Sequence, residues 1–250
     1  MNRAIWYHGS PERFSVLRQG STVTPFRALA KAFSHKPSLL CQEDNGTICH
    51  NGARPGFLYQ IAEPAALGQE LLPHPGSTLE PGSEFLTQRP LGVRLTGVAP
   101  WPHGPLIRLA SLEDARELAR LNRLFNGPPG ASEDMIRRSL KENPREIVVV
   151  AEPAWAATSR LSGFICLQLK YSFCYQLPIA EVTEVFVEED SRRQGLAGAM
   201  LRFGEEYAHT NFQAEEFSLL TGEDNFPAQN LYKSLGYARE NEVMFAKPIE

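Results

Sequence analysis

Three short segments carry residue types and spacings that could do chemistry. In Asp190-Ser191-Arg192-Arg193-Gln194-Gly195-Leu196-Ala197-Gly198, a small-residue turn leads into a helical stripe of Leu196, Met200, Phe203 and Tyr207. Small residues let a backbone approach a ligand, and the first N–H groups of a helix are unpaired donors at its positive end. With Arg192 and Arg193 alongside, this is a pyrophosphate cradle in physical terms. Taken in isolation, the same letters also describe a tight turn with two solvated arginines. The second segment sets Asn225, Ala228, Leu231 and Tyr232 on a short helix that Gly236 ends, with Tyr237 following. The third is Tyr7-His8-Gly9-Ser10. A histidine at a strand end can hydrogen-bond a ribose hydroxyl, and a glycine leaves its backbone free for a carboxamide. Cys41, Cys49 and His50 have a C-x7-C-H spacing that fits no zinc pattern and offers no fourth ligand, so no metal site is expected. Those two cysteines read as buried thiols, and Cys166 and Cys174 as packing.

The elements that position these residues follow from periodicity. Residues 106–110 read as a strand, Ser111 with Asp114 as a capping box, and Leu118, Leu121 and Phe125 as a helix face. Gly127-Pro128-Pro129-Gly130 stops that helix, and Ser132 caps a second, carrying Ile136 and Leu140, which Pro144 ends. Residues 146–152, 160–173 and 179–189 are strand runs. In the last, Val185 and Val187 fall on one face and Glu184 and Phe186 on the other. Further strands are expected at 215–222 and 240–249. The first hundred residues hold strands at 5–10, 20–24 and 57–64, one or two more within 83–97, and a helix at 26–34. The fold class is mixed α/β, with a smaller β-rich N-terminal part.

A length of 250 residues suits two compact domains, and 42% apolar against 22% charged residues allows real cores. The net charge of −4 argues against a nucleic-acid partner. That charge is uneven: residues 1–104 sum to +2 and residues 105–250 to −6. No apolar run is long enough to span a membrane, the N-terminus lacks a signal-peptide core, and four cysteines are too few for a disulfide scaffold. A cytoplasmic protein with no membrane partner is expected. Gly97–Pro105 packs three prolines and two glycines into nine residues and reads as a linker, giving domains 1–104 and 105–250.

Arg192-x-x-Gly195-x-Ala197 after a strand, with Asn225-x-x-Ala228-x-x-Leu231-Tyr232-x-x-x-Gly236-Tyr237 downstream, resembles the GNAT superfamily of acetyl-CoA-dependent N-acyltransferases. The resemblance covers about residues 106–250. It implies that Val185, Phe186 and Val187 lie on the strand whose backbone receives pantetheine. It further implies that Arg192, Arg193, Gln194, Gly195, Leu196, Ala197 and Gly198 take the pyrophosphate, that Asn225 contacts the cofactor, and that Tyr232 protonates the departing thiolate. An attacking amine must be neutral, which makes Glu184 the first candidate base and Glu181 the second. The acidic excess of this half fits a cationic acceptor, a small-molecule amine or a protein amine. Loops 127–134 and 171–180 are expected to form its pocket. The N-terminal hundred residues resemble the ADP-ribosyltransferase-like fold through the His8-Gly9 turn, the 24–34 segment, the 56–64 strand and Glu84-Phe85-Leu86-Thr87. That likeness implies an NAD site with His8 on ribose, Gly9 on nicotinamide and Glu84 polarising the reacting sugar. It departs from the pattern at Ser21–Thr24, where the family has a second-strand aromatic. A non-enzymatic recognition module is the other reading of this half.

Overall fold

The computed structural model describes residues 5–42, 48–102, 104–152, 160–241 and 244–247. The N-terminal part contains β1 (Tyr7–Ser10), β2 (Val16–Leu17), β3 (Thr22–Val23), α1 (Arg27–Ser34), β4 (Leu40–Gln42), β5 (Ile48–His50), β6 (Gly56–Ile61), β7 (Leu71–Pro73), β8 (Phe85–Thr87) and β9 (Leu91–Ala99). The remainder contains β10 (Leu106–Leu109), α2 (Ala115–Asn126), α3 (Glu133–Glu142), β11 (Glu146–Glu152), β12 (Gly163–Lys170), β13 (Ile179–Val187), α4 (Leu196–Phe212), β14 (Glu216–Leu219) and α5 (Phe226–Ser234). As expected from the sequence, the architecture is a mixed, mostly antiparallel sheet flanked by helices, with an extra β region at the N-terminus.

One sheet runs through both parts in the order β1-β6-β9-β10-β11-β12-β13-β14, and β2 also pairs with β9. All its pairings are antiparallel except β13 with β14, which are parallel and joined through α4. The proline-rich segment is therefore not a free linker along its whole length. Gly97, Val98 and Ala99 are the end of β9; Val98 faces Phe57 on one side and Ile107 on the other. Ala99 is 1% exposed and packs with Ala30, Leu58 and Leu106. Pro100, Pro102 and Pro105 sit in the turn beyond, where no ladder N–H is required.

The helices form where amphipathic faces meet the sheet. Leu196, Met200, Phe203 and Tyr207 of α4 are buried with Ile147, Val149, Ile165, Leu167 and Val182. On the opposite face, Leu118 and Leu121 of α2 pack with Val150, Leu161, Phe164 and Phe186. Ser132 caps α3, its hydroxyl accepting from Met135 N at 3.2 Å. The box at Ser111 and Asp114 forms as read, but Asp114 has a second role. It takes the guanidinium of buried Arg108 in two bonds of 2.7 Å, while Arg108 Nε donates to Glu152 at 2.6 Å. Arg27 of α1 reaches the same Glu152 at 2.8 Å, so this network ties the N-terminal helix to β11.

The expected strand at 240–249 lies partly outside the described residues. Its described residues, 240–241 and 244–247, belong to no ladder, and Met244 and Phe245 are exposed. The cysteine expectations also need correcting. Cys41 and Cys174 are exposed rather than buried, because Cys41 lies on a two-stranded ribbon and Cys174 in the loop after β12. No group of side chains among the described residues could hold a metal ion.

Candidate active site

The sheet opens beside β13. Its parallel pairing with β14 ends at Val182↔Leu219, so from Thr183 to Val187 this edge of β13 has no strand partner among the described residues. On the other edge, pairing with β12 steps from Cys166↔Glu184 to Leu167↔Val182, which leaves Thr183 as an extra residue. This bulge shifts the alternation by one. Ala180 and Val182 before it, and Val185 and Val187 after it, all pack on the α4 side. Glu184 and Phe186 fall on the α2 and α3 side, as the sequence alternation indicates, and the bulge brings Glu181 to that face as well. Phe186 is 9% exposed with its ring among Leu118, Leu121 and Phe164, so only its backbone is available to a cofactor.

Past β13 the chain turns through Glu189–Ser191 into α4. Arg193 has φ 60° and Gly195 φ 80°, the left-handed region that a glycine enters at no steric cost. Gly195 is the N-cap of α4, no side chain caps this end, and no acidic residue occupies its first turn. The first helical bond is made by Ala199 N to Gly195 O at 3.0 Å. The N–H groups of Leu196, Ala197 and Gly198 are therefore the orphan donors of this helix, aimed along a positive dipole end. Leu196 gives only its N–H, since its side chain is 2% exposed in the core. Gly198 faces the Arg202 guanidinium, Leu231 of α5 and Leu235 just past its end. Arg192 Nε donates to Val187 O at 3.0 Å, and the Gln194 amide donates to Asp190 O at 3.3 Å; both side chains thus brace the loop. Orphan donors, glycine at the close approach and an open strand edge beside them fit a pyrophosphate with a pantetheine arm.

Tyr232 lies on α5 and is half-buried against the α4 core. Burial pushes its phenol above the ordinary range, which keeps it protonated. No group among the described residues hydrogen-bonds its hydroxyl. Its ring meets that of Tyr237 edge-on at 6.0 Å, and Tyr237 donates its own hydroxyl to Glu205 of α4. Asn225 is the N-cap of α5: its Oδ1 accepts from Ala228 N at 3.4 Å and its Nδ2 donates to Thr221 at 3.2 Å. The α5 end is thereby positioned by the residue read from sequence as a cofactor contact.

Glu184 accepts from the Thr183 hydroxyl, and it pairs in the ladder with Cys166 of β12. Burial, reinforced by Glu184 and Glu146, raises the Cys166 thiol well above its ordinary range, so it stays neutral. Glu181 is ion-paired with Lys170 at 2.7 Å, which commits it more than Glu184.

The residues expected to bind NAD lie on β1 and just before β8. A Cβ at Gly9 would lie 1.7 Å from Ala30 O, so Gly9 is a glycine because α1 packs onto β1, and that face is closed. His8 Nδ1 is within 2.6 Å of Thr22 O, and burial lowers the imidazole pKa. Glu84 accepts from the Ser77 hydroxyl. Sequence reasoning also missed one residue beside the cradle: a Cβ at Gly195 would lie 3.6 Å from Trp101 Cζ2. An aromatic in a proline-rich turn was the only signal.

The profile of the acetyltransferase (GNAT) family matches residues 112–237, half of the chain. The chain belongs to the GNAT family. A GNAT protein is an N-acyltransferase, and members of the family use acetyl-CoA. Among solved structures, a probable acetyltransferase is 25% identical with a TM-score of 0.50, covering 58% of this chain and 97% of its own. A ribosomal-protein-alanine N-acetyltransferase from Brucella melitensis biovar Abortus 2308 is 18% identical, TM-score 0.47, covering 56% and 98%. An aminoglycoside N-acetyltransferase in complex with CoA is 18% identical, TM-score 0.47, covering 57% and 93%. No curated protein matches the chain. The GNAT profile begins after the N-terminal region, so the ADP-ribosyltransferase likeness and an NAD site gain no support from it. No helix among the described residues is long and apolar enough to cross a membrane.

Proposed function

We propose that this GNAT protein transfers an acetyl group from acetyl-CoA directly to a primary amine within one ternary complex, and that residues 105–250 carry the activity. The observation that carries this reading is the open edge of β13 ending at the uncapped, acid-free N-terminus of α4. Arg193, Gly195, Leu196, Ala197 and Gly198 would hold the pyrophosphate through backbone N–H groups, and Val185 and Val187 the pantetheine. When bound, acetyl-CoA supplies the activated thioester carbonyl. Glu184 lies on the opposite face of β13 from Val185 and would accept a proton from the acceptor's ammonium, directly or through water. Tyr232, kept neutral by burial, would return a proton to the leaving sulfur. The acidic excess of residues 105–250 favours a cationic acceptor, a small-molecule amine or a protein amine.

The test is acetyl-CoA turnover against a panel of polyamines, aminoglycosides, lysine peptides and protein N-termini, with and without NAD. Tyr232→Phe should lower kcat by about 10²- to 10⁴-fold, the usual worth of a general acid, with CoA affinity kept. Removing a hydroxyl with no partner among the described residues costs the fold little. Turnover unchanged in Tyr232→Phe would remove that residue from the chemistry.

A further inference from the structure

We propose that Trp101 forms the nucleobase wall of the cofactor site, so that the turn between β9 and β10 contributes the surface on which the adenine of CoA stacks. The proposal rests on the acetyl-CoA reading above. Trp101 is 36% exposed, high for an indole held against the body of a protein. The turn that carries it is nevertheless held. Gly104 N donates to Trp101 O at 3.1 Å, and Lys31 Nζ of α1 donates to Gly104 O at 2.7 Å. Gly104 must be glycine there, since a Cβ would come within 2.5 Å of Trp101 Cβ. The benzo edge of the indole meets the cradle: a Cβ on Gly195 would be 3.6 Å from Cζ2 and 4.0 Å from Cη2.

Position supplies the rest. Trp101 precedes β10, which stands three places from β13 in the sheet order. It therefore flanks the cradle on the side away from the strand assigned to pantetheine. A ligand whose arm runs along β13 and whose pyrophosphate sits on the α4 N-terminus carries its nucleoside on the remaining side. An exposed aromatic face next to unpaired anion donors is the chemistry that recognises a nucleotide, because every base has a π-face to stack.

The experiment compares acetyl-CoA with S-acetyl-pantetheine, which lacks the nucleotide, in wild type, Trp101→Ala and Trp101→Phe. Trp101→Ala should raise KM for acetyl-CoA by about five- to hundredfold, the range for base–aromatic stacking. It should leave kcat with acetyl-CoA and kcat/KM with S-acetyl-pantetheine unchanged, and Trp101→Phe should recover most of the affinity. Quenching of tryptophan fluorescence by ADP should also be lost in Trp101→Ala. Equal effects on both donors, or no effect on either, would overturn the proposal. Wild type that turns over neither donor and binds no CoA would instead overturn the acetyl-CoA reading beneath it.

Discussion

Replacing Gly195 separates backbone strain from charge at the cradle. Gly195 holds φ at 80°, and among the described residues Trp101 is the only neighbour a Cβ would meet, at an ordinary contact distance of 3.6 Å. Gly195→Ala therefore introduces no clash, only the left-handed penalty of about 1–2 kcal/mol. If the turn relaxes to escape it, cofactor affinity falls by at most that amount, about 5- to 30-fold. Gly195→Glu carries the same strain and adds a carboxylate beside the pyrophosphate. A unit charge at about 6 Å from two phosphate charges is opposed by about 1.4 kcal/mol with bulk screening and about 5.5 kcal/mol at an effective dielectric near 20. Affinity for acetyl-CoA should thus fall at least about tenfold further in Glu than in Ala.

Calorimetric titration of CoA into the two variants measures the gap, and salt should narrow it for Glu alone. Thermal unfolding should shift equally in both, since the strain is shared and the added side chain is exposed. Native CoA affinity in Gly195→Glu would refute the placement of the pyrophosphate at this helix end. Equal losses in Ala and Glu would show that the ligand's charge lies elsewhere.

Three further outcomes follow from other parts of the molecule. Asp114→Ala leaves Arg108, 3% exposed, with half its partners; a loss of about 3–5 kcal/mol is expected in urea unfolding. Burial alone would raise the Asp114 pKa, but Arg108 and Ser111 hold it below the ordinary range. Its contribution to stability is accordingly present above the unfolded carboxyl pKa near 4 and is lost as pH falls through the lower folded value, a loss absent from the variant. Gly9→Ala drives a methyl into the backbone of α1 and should reduce expression or melting temperature sharply, with NAD making no difference to either. Glu184→Gln should lower kcat with acetyl-CoA affinity kept; an unaltered kcat would reassign the base.

The placement of the C-terminal candidate residues was legible because it depends on local spacing. Gly195, Leu196 and Ala197 must follow a strand and open a helix, and both constraints are written in consecutive residues. Tyr232 and Asn225 were placed by the same kind of pattern, on a helix whose cap and stop are neighbours in sequence. What escaped was set by pairing between distant segments. The bulge at Thr183 exists only relative to β12, so the alternation that puts Val185 with Val187 does not show that Glu181 shares a face with Glu184. Arg108 reads as one charge in a strand; its burial depends on Asp114 and Glu152 arriving from two other places.

The N-terminal half depends on distant segments in the same way. A histidine followed by glycine carries meaning only through what stands over it, and here α1 does: Ala30 O occupies the space that a side chain at position 9 would fill. The same helix, through Lys31 and Gly104, steadies the turn that brings Trp101 to the cradle. Prolines at 100, 102 and 105 read as a boundary because proline denies a ladder its N–H, yet a turn between two paired strands needs the same property. With Gly97–Ala99 inside the sheet, cutting the chain at residue 104 would strip β9 from β10 and expose Ile107, which is fully buried. Activity lost from a 105–250 fragment would thus report an opened sheet edge, and point substitutions such as Trp101→Ala are the sharper probe of what the first hundred residues do.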